Sequence, residues 1–189
     1  LLNIASQLKD TFGTHAPGAI VNTGQYVYGF DDYRGVAWYY SVGGGQENIN
    51  MKNDIFFRDL AADIHPDRLT SRVVGGWHEK FRTWFISIQT GRVTQTIAFK
   101  EGKGWMGDYS FFPECFGRVG TRFFSMKSGT TWEHEVGDYC QFYAVNYNAE
   151  ITLAINSDPS ALKIFWNMRE QGDLWHVPIL SIPPGVTPG

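Results

Sequence analysis

Val27-Tyr28-Gly29 and Trp38-Tyr39-Tyr40-Ser41 return 46 residues later as Val73-Val74-Gly75 and Trp84-Phe85-Ile86-Ser87. In each copy a V-x-G segment opens a strand, a polar stretch turns the chain, and an aromatic strand runs to a serine. A looser third copy runs from Val119-Gly120 to Trp132, offset by 45 to 48 residues from the second. A period in the forties with about four short strands per unit is the pattern of β-propeller blades. One such blade cannot cover both of its own faces, so blades stack and bury aromatic side chains between them. The expectation is a mainly β chain of repeated antiparallel hairpins, part of a β-propeller, with one or two short helices. Three or four blades make only part of a ring, which points to a fragment of a larger protein.

Composition agrees with this reading. The chain has 189 residues, of which 16% are aromatic (14 Phe, 9 Tyr, 7 Trp) and 21 are glycine. Aromatic residues favour strands and glycine favours tight turns. A hydrophobic fraction of 43% excludes an intrinsically disordered chain. A net charge of −3 and a pI near 5.9 supply no basic track for phosphates, so sequence-specific nucleic-acid binding is not expected. No apolar run approaches the roughly 18 residues of a membrane-spanning helix, so no membrane insertion is expected. Two cysteines, Cys115 and Cys140, cannot build a disulfide framework and are read as reduced thiols.

Outward from the repeat, Ile4, Leu8 and Phe12 recur at helical spacing over residues 2–12. Residues 25–30 and 36–41 form a hairpin about Asp31-Asp32-Tyr33-Arg34-Gly35, and Gly43-Gly44-Gly45 reads as a hinge or loop. Met51, Ile55, Phe56 and Leu60 suggest a helix capped by Asn48 or Asn50 and broken at His65-Pro66-Asp67. Strands are then expected at 72–76, 82–89, 92–99, 105–111, 122–126, 131–135, 150–156, 162–168 and 174–180. The expected organisation is one β-rich region over 1–180 and a Pro/Gly-rich linker or loop over 181–189.

Reactive side chains are scattered. Among His15, His65, His78, His134 and His176 there is no H-E-x-x-H. In Glu133-His134-Glu135, strand alternation sends both glutamates to one face and His134 to the other. A pairing of Cys115 with His134 or His78 has no support from spacing. Asp31, Asp32, Glu101, Asp108 and Glu114 are the carboxylates a glycosidase would draw on, and Arg34, Arg82 and Arg118 the arginines of a sialidase-like site. Asp31 and Asp32 instead suit a hairpin turn. Trp38, Trp84, Trp105, Trp132, Trp166 and Trp175 fit an inter-blade core better than a sugar-stacking platform. No catalytic residue, metal ligand or cofactor is assigned, and the chain is not expected to be an enzyme.

Two resemblances complete the reading. Ser125-Met126-Lys127-Ser128-Gly129-Thr130-Thr131-Trp132 is similar to the aspartate-box hairpin of sialidase-like propellers, with Lys127 where that turn carries Asp. The second covers residues 20–175 through an ordered succession of segments. It begins with Ile20-Val21-Asn22-Thr23-Gly24, Val27-Tyr28-Gly29-Phe30-Asp31 and Phe56-Phe57-Arg58-Asp59. It continues with Thr96-Ile97-Ala98-Phe99-Lys100-Glu101, Tyr109-Ser110-Phe111-Phe112-Pro113-Glu114 and Trp132-Glu133-His134. Phe142-Tyr143, Ala154-Ile155-Asn156 and Lys163-Ile164-Phe165 close it. This succession resembles neck and tail structural proteins, of muzzle or stabilisation type, from tailed crAss-like bacteriophages. The resemblance implies a structural virion protein at the DNA exit, an oligomer ringed with copies of itself and touching other phage neck and tail proteins. The alternative is a glycan-binding adhesin or receptor-binding propeller module, which requires an exposed Trp/Tyr cluster.

Overall fold

Thirteen short antiparallel strands, one α-helix and 3-10 turns at Pro17–Ala19 and His65–Asp67 account for the regular structure of the computed structural model, which describes residues 12–67 and 69–147. The first sheet is a meander of β1 (Val21–Asn22), β2 (Tyr26–Asp31), β3 (Val36–Ser41) and β4 (Gly45–Asn48). Helix α1 (Asp54–Ile64) follows and runs into a single 3-10 turn at His65–Asp67. A second meander holds β5 (Arg72–His78), β6 (Thr83–Gln89), β7 (Thr94–Lys100) and β8 (Gly104–Tyr109). β9 (Cys115–Val119), β10 (Arg122–Lys127) and β11 (Thr130–Glu133) make a three-stranded sheet with β10 central. β12 (Gln141–Phe142) and β13 (Val145–Asn146) pair with each other.

The sheets are layered, and alternation along the strands shows how. On β6, Trp84, Ile86 and Ile88 point one way and Phe85 and Ser87 the other, and all five are buried. The first set joins Tyr28, Phe30 and Ala37 of the first sheet and Phe57, Leu60 and Ile64 of α1 in one core. Phe85 and Ala98 join Phe111 and Phe123 in a second core, edged by Phe116 and Phe142. The second meander is therefore the middle layer, covered on both faces, which is why β6 reads as a near-continuous apolar run interrupted only at Ser87.

The recurring V-x-G…W now has a physical meaning. Gly29 stands directly opposite Trp38 across β2 and β3, and a Cβ on it would lie 2.3 Å from the indole ring. A Cβ on Gly75 would lie 2.7 Å from the Ala19 carbonyl oxygen and 3.1 Å from Trp84 Nε1. Gly29 thus clears the space its partner strand's tryptophan occupies, whereas Gly75 chiefly admits the Ala19 carbonyl and the Val21 side chain, with Trp84 beside them. The registers differ, however: Gly75 faces Ile86, with Trp84 one diagonal step away. The copies also sit at different places, as second and third strands in one meander and first and second in the other. The third copy does not hold as a hairpin, because Val119 ends β9 and Gly120 (φ 60°) turns the chain into β10.

Several expectations are refined or corrected. Of the hinge or loop expected at Gly43-Gly44-Gly45, the loop is what forms: Ser41 pairs with Gly45 across a three-residue turn into β4. The helix begins at Asp54 with Asn53 at its cap position, and neither Asn48 nor Asn50 caps it. Asn50 is buried instead, accepting from Ala37 N and donating to the Gly35 carbonyl and to Asp54. The helical face is also shifted. Phe57, Leu60, Ala61 and Ile64 are buried, whereas Met51, Ile55 and Phe56 are exposed. Strand 131–135 ends at Glu133, since Glu135 takes a left-handed φ of 68°. The helix over 2–12, apart from Phe12 itself, and the strands after residue 147 lie outside the described residues, as do the 181–189 run, His176, Trp166 and Trp175. Among the described residues no helix is long and apolar enough to cross a membrane.

Candidate functional site

The turn between β10 and β11 is the tightest kind, with Lys127 paired to Thr130 and positive φ at both Ser128 and Gly129. Its two-residue geometry fixes the register of the hairpin and so sets Ser125 opposite Trp132. The chain beyond β11 folds back over this hairpin. His134 Nε2 comes 2.7 Å from Ser125 Oγ, and the Tyr143 hydroxyl donates to the same oxygen at 3.0 Å. The Ser125 hydroxyl is thus shared between the Tyr143 hydroxyl, which donates to it, and His134 Nε2.

A serine on a histidine invites comparison with nucleophilic catalysis, but the burial argues otherwise. Ser125 is 0% exposed, so no substrate carbonyl reaches it. The network pins three chain segments to one point. Beside it, His78 stacks on Phe81 at 4.7 Å and lies tilted against Phe123 at 5.0 Å, and Phe123 also meets His134 at 5.0 Å. His78 Nε2 lies 3.6 Å from Glu135, which Lys80 also approaches at 3.3 Å.

Burial is the main force on both imidazoles. It pushes His134 down to about 4, with nearby His78 adding to the shift and Glu135 opposing it. It also lowers His78, against Glu135 and with Lys80. A depressed pKa means that the unfolded chain binds more protons than the folded one between about 4 and the ordinary 6.5. Stability is complete above pH 6.5, falls as pH drops towards 4, and falls no further below. The expected loss from His134 is on the order of 2 kcal/mol, read from urea midpoints at pH 7 and 4.5. His134→Asn should flatten that slope; parallel curves for the two proteins would refute the assignment.

Over the same hairpin, residues 131–144 and Lys80 line a cavity of about 750 Å³. Trp132 lies on its wall, edge-on to Tyr143 at 5.6 Å, and the indole Nε1 is buried with no hydrogen-bond partner. Glu133 takes a forked hydrogen bond from Arg122, which holds its carboxyl below the usual range.

The remaining sequence candidates do not converge. Asp31 accepts from Tyr33 N, Arg34 N and Gly13 N, and Asp32 accepts from His15 N, so both aspartates brace the turn and the preceding segment. Glu101 receives Tyr28 and Arg82, Asp108 receives Gln95, and Arg118 pairs with Glu79. Glu114 lies by Arg72 and Ser128 N, and the Cys115 sulfur lies 3.2 Å from Met126 Sδ rather than beside a histidine. Among the described residues no three His, Cys, Asp or Glu side chains gather as a metal site requires. Trp38, Trp84 and also Trp77 are at most 7% exposed, while Trp105 and Trp132 are half-buried. The Ser125–His134–Tyr143 cluster escaped sequence reading because its members meet only through a hairpin register and a left-handed turn.

Against this geometry, no family model matches the chain, and neither a curated protein nor a solved structure does.

Proposed function

We propose that the chain is a non-catalytic structural component of a bacteriophage virion, a partial β-propeller from the neck or tail that packs in a ring with copies of itself and against other virion proteins. The observation that carries this reading is the sheet-on-sheet aromatic stack. Consecutive meanders bury Tyr28 against Trp77 and Trp84 at 5.5 Å each, and Phe85 against Phe123 at 5.4 Å. Flat rings packed between antiparallel sheets make a stiff body that transmits load without a moving part. Such stacking also extends readily to further blades, as ring closure requires. The exposed apolar Ile55 and Phe56 on α1 suit contact with another subunit. The adhesin alternative asks for an exposed Trp/Tyr cluster, whereas Trp38, Trp77 and Trp84 lie in the interior.

Mass spectrometry of gradient-purified particles tests the proposal. Peptides of this chain in fixed ratio to the portal protein are the expected result. Peptides confined to the soluble lysate would overturn it.

A further inference from the structure

Phe123 of β10 meets two imidazoles, His78 of β5 and His134 of the segment after β11, each at 5.0 Å. Neither imidazole sits where a second proton is welcome. His78 Nδ1 accepts from the Phe81 N–H, which places its one hydrogen on Nε2. That Nε2 is buried, has no hydrogen-bond partner and lies 3.6 Å from Glu135. A proton on Nδ1 would set two donors against each other at Phe81. A proton on His134 would oblige Nε2 to donate to Ser125 Oγ, which already accepts from Tyr143.

The chain carrying His134 is also lightly held. None of residues 134–147 is fully buried, and β12 and β13 pair only with each other. Among the described residues, the hydrogen bonds of this segment to the rest of the chain run through His134, Tyr143 and the exposed Lys80–Glu135 pair. Segments with so few buried contacts open at low cost.

We propose that residues 134–147 are an acid-released strap, closed over the β10–β11 hairpin near neutrality and detached in mild acid while the meanders stay folded. Release uncovers Phe111 and Phe123, against which His134 and Phe142 pack at 4.8 to 5.0 Å. The chain thereby offers in acid an apolar face that it hides at neutral pH. The surrounding charges act in both directions. Glu135 of the strap favours the charged form of both imidazoles and resists release, while Lys80 of the β5–β6 turn opposes a charged His78. His78 in turn opposes a charged His134. Glu79 is engaged by Arg118 and the Trp77 N–H, and Glu133 by Arg122. Burial outweighs Glu135 at both rings, so acid favours the open strap.

Hydrogen exchange of the full chain, corrected for the intrinsic rate at each pH, tests this. The closed strap holds His134 at about 4, and the released strap returns it to the ordinary 6.5. Between pH 7 and 4.5 the opening equilibrium therefore rises about fiftyfold. The amides of 134 and 141–147 are expected to lose that factor in protection, and to be less protected than β6 at both pH values. His134→Asn should flatten the loss. Tyr143→Phe loosens the strap without altering either imidazole, so it should lower protection at both pH values and keep the ratio. Equal protection of strap and β6 at each pH would show the chain opening as a whole and overturn the proposal. So would a strap as protected at pH 4.5 as at 7, or an undiminished loss in His134→Asn. The readout comes from the isolated chain, so it stands or falls separately from the particle experiment.

Discussion

Trp84→Ala is expected to lower stability by roughly 3–5 kcal/mol, the usual cost of emptying a large buried aromatic site. Trp84 is 0% exposed and packs where the first meander meets the middle layer. It stacks on Tyr28 at 5.5 Å, leans on Trp105 at 6.0 Å and stands opposite Trp77 across β5 and β6. The alanine side chain leaves a void where the first meander meets the middle layer, and neither sheet can collapse into it without breaking register. A domain of this size has about 5–15 kcal/mol in total, so one substitution removes a large share. Trp84→Phe should cost far less, because the indole Nε1 has no partner to lose. Urea denaturation of the three proteins reads both effects. A loss below about 1 kcal/mol for alanine would show that the interlayer packing is not as described.

Gly35→Ala is the second large effect, and its cause is different. Gly35 has φ +66°, a region that costs an L-residue roughly 1 kcal/mol. More seriously, a Cβ there would lie 2.3 Å from the Phe57 carbonyl oxygen and 2.8 Å from the Arg58 Cα. Both are backbone atoms of α1, so no rotamer change relieves the clash. The helix must move off the β2–β3 turn, which also strains the bond from Asn50 to the Gly35 carbonyl. A total loss of about 2–4 kcal/mol is expected, with faster amide exchange along α1. Gly43→Ala is the control: φ is +93° but nothing lies within 4 Å of its Cβ, so only the roughly 1 kcal/mol conformational cost should appear. Equal losses at the two sites would show that the helix does not rest on Gly35.

Legibility in the sequence followed apolar patterning. β2, β3, β5 and β6 were readable because aromatic and β-branched residues alternate or run unbroken there. β4 was not, since Gln46, Glu47 and Asn48 form a polar edge strand held by its pairing with β3. α1 was found but misphased. Met51, Ile55, Phe56 and Leu60 offered one apolar arc, of which only Leu60 packs, beside Phe57, Ala61 and Ile64 at i, i+4 and i+7. Periodicity alone cannot choose between two arcs on one short helix. β9 was missed because Cys115, Gly117 and Arg118 carry no strand pattern, and its place depends on β10 alongside it. The candidate site was hidden for a related reason: Trp132 was visible as an aromatic, but its unpaired N–H exists only once the 131–144 loop has turned back.

The two-faced middle layer also has a consequence for synthesis. A ribosome delivers the first meander and α1, then β5 to β8, and Trp84 and Ile86 can close on Tyr28 and Phe30 at once. Phe85 and Ala98 cannot, since Phe111 and Phe123 have yet to emerge. For that interval the nascent chain presents a bare aromatic plane to solvent. Each layer is thus finished only by its successor, and an interruption of translation between β8 and β10 leaves a sticky intermediate rather than a smaller folded protein.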